Sequence, residues 1–108
     1  MAEFVLPPML PTLRDLTTTT LFSRASWQAT LTRYELDYYD PIKLYEGTCI
    51  VIRPLVSNSK ADPKLYHFSF GEIPLQTSAL TGFSVNSLKM GGVYTFRYAG
   101  GIFISQGV

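Results

Sequence analysis

Residues 93–104 read VYTFRYAGGIFI, and this stretch carries the clearest structural pattern in the chain. Aromatic residues occupy every second position of its first half: Tyr94, Phe96 and Tyr98. Alternation with a period of two is typical of a half-buried β-strand. Gly100-Gly101 provides the two positive-φ positions that a tight hairpin turn needs, and the apolar run that follows returns as a second strand. The sequence therefore predicts a β-hairpin over residues 92–106.

Three further strands are expected upstream of this hairpin. Residues 46–56 are apolar on both faces around Cys49–Ile52, which predicts a central strand that ends near Pro54. Residues 64–70 predict a strand with three aromatic residues on one face: Tyr66, Phe68 and Phe70. Residues 22–38 alternate throughout but change parity near Thr32-Arg33, which we interpret as a β-bulge in one long strand.

A short helix is expected between residues 74 and 82. Pro74 is suited to a first helical position, and Gly82 to a helix stop. Leu75 and Ala79 are spaced i, i+4 between them.

The resulting element order, β-β-β-α-β-β, predicts a mostly β fold. It favours a small antiparallel barrel with the order of an OB fold, which is partly open. A small antiparallel β-sandwich is the alternative. The chain of 108 residues has the length of a single domain, which we assign to residues 22–108.

Residues 1–21 are interpreted as an extended, proline-rich N-terminal arm. Its prolines, Pro7, Pro8 and Pro11, exclude a helix, and its apolar residues are candidates for binding a partner. These candidate arm contacts are Phe4, Val5, Leu6, Met9 and Leu10. An apolar segment left in water favours association, so the arm is expected to pack on a neighbouring subunit or on its own barrel.

Composition limits the classes of function. The formal net charge is +1 with 16% charged residues, and no block of like charge marks a nucleic-acid tail or a membrane-binding patch. The single cysteine excludes an intrachain disulfide. The first residues do not resemble a signal peptide, and no apolar run is long enough for a membrane helix. We expect an intracellular or virion protein without a membrane partner.

Chemistry-bearing residues are few. The chain contains one histidine, His67, and one cysteine, Cys49, which predicts neither a catalytic group nor a metal site. Cys49 lies in an apolar run and is expected to be a small core residue. The glycine pairs Gly91-Gly92 and Gly100-Gly101 lack the strand–loop–helix setting of a phosphate-binding loop. We therefore expect no enzyme activity, no cofactor and no small-molecule substrate.

Single-stranded nucleic acid is the alternative partner, because OB-type barrels bind such strands on aromatic and basic surfaces. The residues that could form such a surface are Arg33, Tyr39, Lys43, Tyr45, Arg53 and Lys64. The two aromatic triplets are better interpreted as core, because Arg97 has the opposite parity to Tyr94, Phe96 and Tyr98.

The function expected from these observations is that of a structural or assembly subunit. The arm would contact neighbouring copies, either by strand addition or by exchange between subunits. A virus or phage particle is the setting that we expect, by analogy with small arm-bearing β-domains.

Overall fold

The computed structural model describes residues 20–108. This part of the chain is mostly β and forms a closed barrel of seven strands. The strands are β1 Thr20–Gln28, β2 Arg33–Leu36, β3 Cys49–Pro54, β4 Lys64–His67, β5 Gly71–Gln76, β6 Tyr94–Ala99 and β7 Ile102–Ser105. A 3-10 turn at Ala29–Leu31 is the one helical element among these residues.

The barrel closes in the order β1-β2-β4-β5-β7-β6-β3, with β3 returning to β1. The pairs β1/β3, β2/β4 and β5/β7 are parallel, and the other four pairs are antiparallel. The predicted barrel and the β class are thus confirmed, whereas the OB-like order and the uniformly antiparallel sheet are not. Long-range parallel pairing leaves no local sequence signature, so the order of elements along the chain could not reveal it.

The core fills the inside of the barrel with side chains from every strand. Its fully buried members include Ala25, Tyr34, Ile50, Ile52, Leu65, Phe96 and Phe103. Residues on alternate positions of each strand point into this core, as a small barrel requires. Cys49 is buried, as predicted, at the start of β3.

The predicted long strand over residues 22–38 is two strands joined in a hairpin. β1 pairs antiparallel with β2, and Trp27 lies opposite Tyr34. The chain reverses through the 3-10 turn and Thr32, which has a positive φ of 52°. The change in parity was therefore real, but a turn causes it rather than a bulge. No glycine, proline or asparagine marks the turn, which explains why it was missed.

The predicted helix over residues 74–82 is wrong, because residues 71–76 form β5. Ile73 and Leu75 point into the core while Glu72 and Pro74 are exposed. Pro74 is tolerated within the strand for a geometric reason. The Leu75 amide donates to the Pro63 carbonyl, so the missing Pro74 amide would point toward β7, whose pairing with β5 begins only at Leu75.

The predicted strand over residues 64–70 is correct only as far as His67. A turn follows, in which the Phe70 amide donates to the His67 carbonyl over 3.1 Å, and Gly71 has a φ of +74°. The face that enters the core carries Leu65 and His67, not the aromatic triplet. Phe68 is exposed in the turn, and Phe70 packs edge-on against Phe103.

The predictions for β3 and for the last hairpin are confirmed. β6 and β7 pair antiparallel, and both turn glycines have positive φ, 60° at Gly100 and 87° at Gly101. Phe96 is fully buried, and Tyr94 and Tyr98 pack against the core, so the second aromatic triplet belongs to the core.

The barrel has two distinct ends. The proximal end holds the start of β1 at Thr20, the loop of residues 37–48, and the turns at residues 68–70 and 100–101. The distal end holds the loops of residues 55–63 and 77–93 together with the last residues. Thr20 and Leu21, which we assigned to the arm, pair with β3. The predicted contacts Phe4, Val5, Leu6, Met9 and Leu10 lie outside the described residues.

Candidate functional site

A groove opens at the proximal end of the barrel between β1 and the loop of residues 37–48. Its volume is about 310 Å³, which is near the lower limit for small-ligand sites. Its lining is Thr20, Leu21, Tyr38, Pro41, Ile42, Lys43, Tyr45, Thr48 and Ile50. The lining residues are mostly apolar, and Lys43 is the one charged residue among them. The groove therefore suits apolar side chains better than a charged ligand.

The outer wall of the groove is a loop that hydrogen bonds hold near its start, its middle and its end. The Tyr38 carbonyl lies 2.9 Å from His67 Nε2, and the Ile42 amide donates to Ser69 Oγ over 2.9 Å. At the end of the loop, the Gly47 amide donates to the Tyr98 carbonyl over 2.8 Å. These bonds reach the end of β4, the β4–β5 turn and β6. The loop therefore keeps its position without pairing as a strand.

His67 is a structural residue of this wall. It is almost fully buried, and the Ser69 amide donates to its Nδ1 over 3.1 Å. An acceptor at Nδ1 places the ring proton on Nε2, which then donates to the Tyr38 carbonyl. Both ring nitrogens are thus engaged with the backbone, and neither is placed to act on a ligand in the groove.

β1 also presents part of its backbone toward the groove. β3 pairs with β1 from Thr20 to Ala25, whereas β2 pairs with it only from Ala25 to Gln28. The Asp37 amide extends the β2 side by one bond, to the Arg24 carbonyl over 2.8 Å. Within residues 20–108, the segment Thr20–Ser23 therefore has a strand partner on one side only.

The residues proposed for nucleic-acid binding do not form one surface. Tyr39, Lys43 and Tyr45 lie in the loop of residues 37–48, and Lys43 and Tyr45 line the groove. Arg53 is exposed on β3 beside Arg24 of β1. A separate pair lies on the outer face of neighbouring strands, where Arg33 of β2 is the register partner of Lys64 of β4.

Arg33 is occupied by ion pairs. Its guanidinium lies 2.7 Å from Glu35 and 2.7 Å from Glu72, and its Cζ lies 3.8 Å above the centre of the Tyr66 ring. The carboxylates of Glu72 and Glu35 raise the pKa of Arg33 above its ordinary value, and Glu72 has the larger effect. This arrangement ties β2, β4 and β5 together on the outer surface, so the side chain has a structural explanation.

A second polar cluster surrounds Asp37 at the end of β2. The Tyr39 hydroxyl donates to its carboxylate over 2.7 Å, and Arg24 pairs with it over 2.6 Å. The Tyr39 hydrogen bond and the Arg24 charge lower the pKa of Asp37, and the same carboxylate raises the pKa of Tyr39. The Tyr39 ring itself is 80% exposed.

Sequence reasoning missed most of the groove. Leu21, Tyr38, Pro41 and Ile42 were not proposed as site residues, although all four line it. Leu21 was assigned to the arm. The only sequence signal of the other three is that apolar residues persist through a proline-containing loop, and that signal does not say which strand they face. Within residues 20–108, no three His, Cys, Asp or Glu side chains gather as a metal site, and no helix could cross a membrane.

Comparisons of the chain with protein-family models, with curated proteins and with solved structures found no significant match.

Proposed function

We propose that this chain is a non-enzymatic structural or assembly subunit, in which the apolar residues Phe4–Leu10 contact neighbouring subunits. The observation that carries the proposal is the groove, because an apolar groove of about 310 Å³ lies at the barrel end where β1 begins. The chain thus carries both a donor segment rich in apolar side chains and a surface with matching chemistry.

The chemistry of the site supports a role in binding rather than catalysis. Among residues 20–108, the residues that line the groove include no carboxylate, cysteine or histidine. His67 has both ring nitrogens bonded to the backbone, and the buried Cys49 thiol lies 3.7 Å from the Gly47 carbonyl. General acid–base or nucleophilic catalysis needs such groups to be exposed to a substrate.

The setting that we propose is an intracellular assembly or a virus or phage particle. Small barrels joined by extended arms suit such lattices, since one arm can join two subunits without enlarging either core. This part of the proposal rests on architecture.

The experiment is a measurement of solution mass by light scattering across a concentration series. We expect the full chain to be an oligomer and the variant Leu6→Asp to be a monomer with unchanged thermal stability. Thr12→Asp is the matched control, since it places the same charge in the same segment outside residues 4–10. A full chain that is monomeric at every concentration would refute self-assembly.

Binding of single-stranded nucleic acid is the second candidate. One observation favours it: Arg24 and Arg53 lie side by side on the outer face of β1 and β3, and exposed Tyr39 is joined to Arg24 through Asp37. Binding of a fluorescent oligonucleotide should then weaken steeply with salt and be lost in Arg53→Ala or Tyr45→Ala. An absence of binding at low salt removes this candidate.

A further inference from the structure

The open side of β1 has backbone groups that are ready for a further strand. Successive residues of a strand point their backbone groups to opposite sides. The Ala25 carbonyl accepts from Leu55, on the β3 side, whereas the Arg24 carbonyl accepts from Asp37, on the β2 side. The amide and carbonyl of Phe22 therefore point to the β2 side, away from the ladder with β3.

In the part of the chain that the structure describes, this edge lacks the usual protection against strand addition. Proteins commonly protect exposed edges with charged residues, prolines or bulges. Thr20, Leu21, Phe22 and Ser23 are uncharged, and Phe22 is 59% exposed. Leu21 packs against the core and lines the groove, so the edge and the groove are continuous.

Residues 4–6 have the right chemistry and length for this edge. Phe4, Val5 and Leu6 each retain an amide donor, whereas Pro7 and Pro8 cannot donate and would end the pairing. The segment of three residues is close in length to the four-residue edge Thr20–Ser23. Because side chains alternate, Phe4 and Leu6 would face the same side and Val5 the other.

The length of the connecting segment permits contact with a neighbouring copy, and its prolines favour that copy over the same barrel. Residues 7–19 separate Leu6 from Thr20, and these thirteen residues could span up to about 45 Å when extended. These residues are also long enough to return onto β1, but Pro7, Pro8 and Pro11 favour extended backbone, which carries the segment away from its own barrel. A span of this length reaches an adjacent barrel.

We propose that the Thr20–Ser23 edge of β1 accepts residues Phe4–Leu6 of a second copy as an added strand, with Phe4 and Leu6 filling the groove. The inference rests on the proposed function, since it assigns the acceptor site and the pairing mode for the arm. It makes each chain both a donor and an acceptor.

A mixing experiment with two full-length variants tests the partner. Leu6→Asp can accept an arm but cannot donate one, and Ile42→Asp can donate but has a damaged groove. Each variant alone should be a monomer, and a mixture should form a complex of two chains and no larger species. Met90→Asp, at a 67% exposed site at the distal end, is the control and should assemble as the unaltered chain does.

The edge itself is tested by Phe22→Pro against Phe22→Ala. Proline removes only the amide that points away from β3, and an edge position tolerates it. We expect Phe22→Pro to weaken association at least about tenfold and to replace Ile42→Asp in the mixing experiment if that variant does not fold. Phe22→Ala should retain association, and hydrogen exchange at the Phe22 amide should slow on assembly.

The outcomes separate this inference from the proposed function. If Leu6→Asp abolishes assembly while Ile42→Asp and Phe22→Pro do not, the arm assembles elsewhere and the strand addition is refuted. If Leu6→Asp and Ile42→Asp form no complex on mixing and each is less stable than the unaltered chain, the arm docks on its own barrel. Binding of the arm to a second copy is then refuted. Val5→Asp should be tolerated better than Leu6→Asp, and equal sensitivity would refute the strand alternation.

Discussion

Asn58 provides the sharpest test of how the distal end of the barrel is held together. Its side chain is fully buried and makes three hydrogen bonds, all to backbone groups. The amide nitrogen donates to the Lys60 and Ser84 carbonyls over 2.9 Å each, and the Leu88 amide donates to Oδ1 over 3.0 Å. One side chain thus joins the loop of residues 55–63 to the loop of residues 77–93.

We expect Asn58→Ala to lower the free energy of unfolding by about 2–4 kcal/mol. Each lost hydrogen bond accounts for about 1 kcal/mol, and the stranded Leu88 amide adds to this because Leu88 is fully buried. Lys60 and Ser84 are exposed residues, so water can bond to their carbonyls in place of the Asn58 amide. The expected loss of stability is therefore smaller than if all three backbone groups were left without a partner.

Urea unfolding followed by tryptophan fluorescence measures this loss, because Trp27 lies at the same end of the barrel. The control is Ser59→Ala, which removes the neighbouring hydrogen bond from Trp27 Nε1 to Ser59 Oγ, at an exposed position. We expect that control to cost less than about 1 kcal/mol. A loss below about 1 kcal/mol for Asn58→Ala, or equal losses for both variants, would refute the reasoning.

Three further predictions concern ionisable side chains. Burial raises the pKa of Tyr34, whose hydroxyl donates to the Val56 carbonyl. The stability that this residue contributes is therefore retained below pH 10 and lost as pH rises above it. When urea unfolding is compared at pH 8 and pH 11, the unaltered chain should lose more stability between the two pH values than Tyr34→Phe does. The pKa of Asp37 is lowered, so its contribution to stability is present above about pH 4 and lost as pH falls below it. Asp37→Asn should be less stable than the unaltered chain at pH 7, but it should lose less stability between pH 7 and pH 2. Arg33→Met should lower the thermal midpoint by a few degrees and more at low salt than at high salt, and an effect independent of salt would contradict the ion-pair explanation.

The elements that could be predicted from sequence are those with local determinants. The β6–β7 hairpin is recognised because its turn needs two positive-φ residues and Gly100-Gly101 supplies them. β3 is recognised because Cys49–Ile52 form a short apolar run rich in β-branched residues, which is typical of strands. Neither inference needed knowledge of which strands are neighbours.

The errors have equally specific causes. The turn between β1 and β2 uses Thr32 in the left-handed region, which sequence rules assign to glycine or asparagine. In β5, the alternation of Ile73 and Leu75 was correct evidence for a strand, but Pro74 was interpreted as a helix start. The geometry that permits that proline depends on β7, which is distant in sequence and pairs with β5 only from Leu75 onward.

The groove could not be predicted, because contacts between distant residues create it. The loop of residues 37–48 has no periodic pattern, and its position depends on Ser69, His67 and Tyr98. The arm residues could be proposed from composition alone, whereas the surface that would receive them could not.

A mismatch in strand length explains why the groove and the open edge occur together. β1 has nine residues and β2 has four, so β2 covers only the distal half of β1. The chain follows β1 for one further bond at Asp37 and then leaves at Tyr38, whose carbonyl is held by His67. Beyond this hydrogen bond the chain no longer follows Thr20–Ser23. It forms the opposite wall of the groove, which includes Ile42. Among residues 20–108, the same hydrogen bond therefore leaves the edge without a second strand and shapes the groove beside it, so that a strand added at the edge would place its inward side chains directly into the groove.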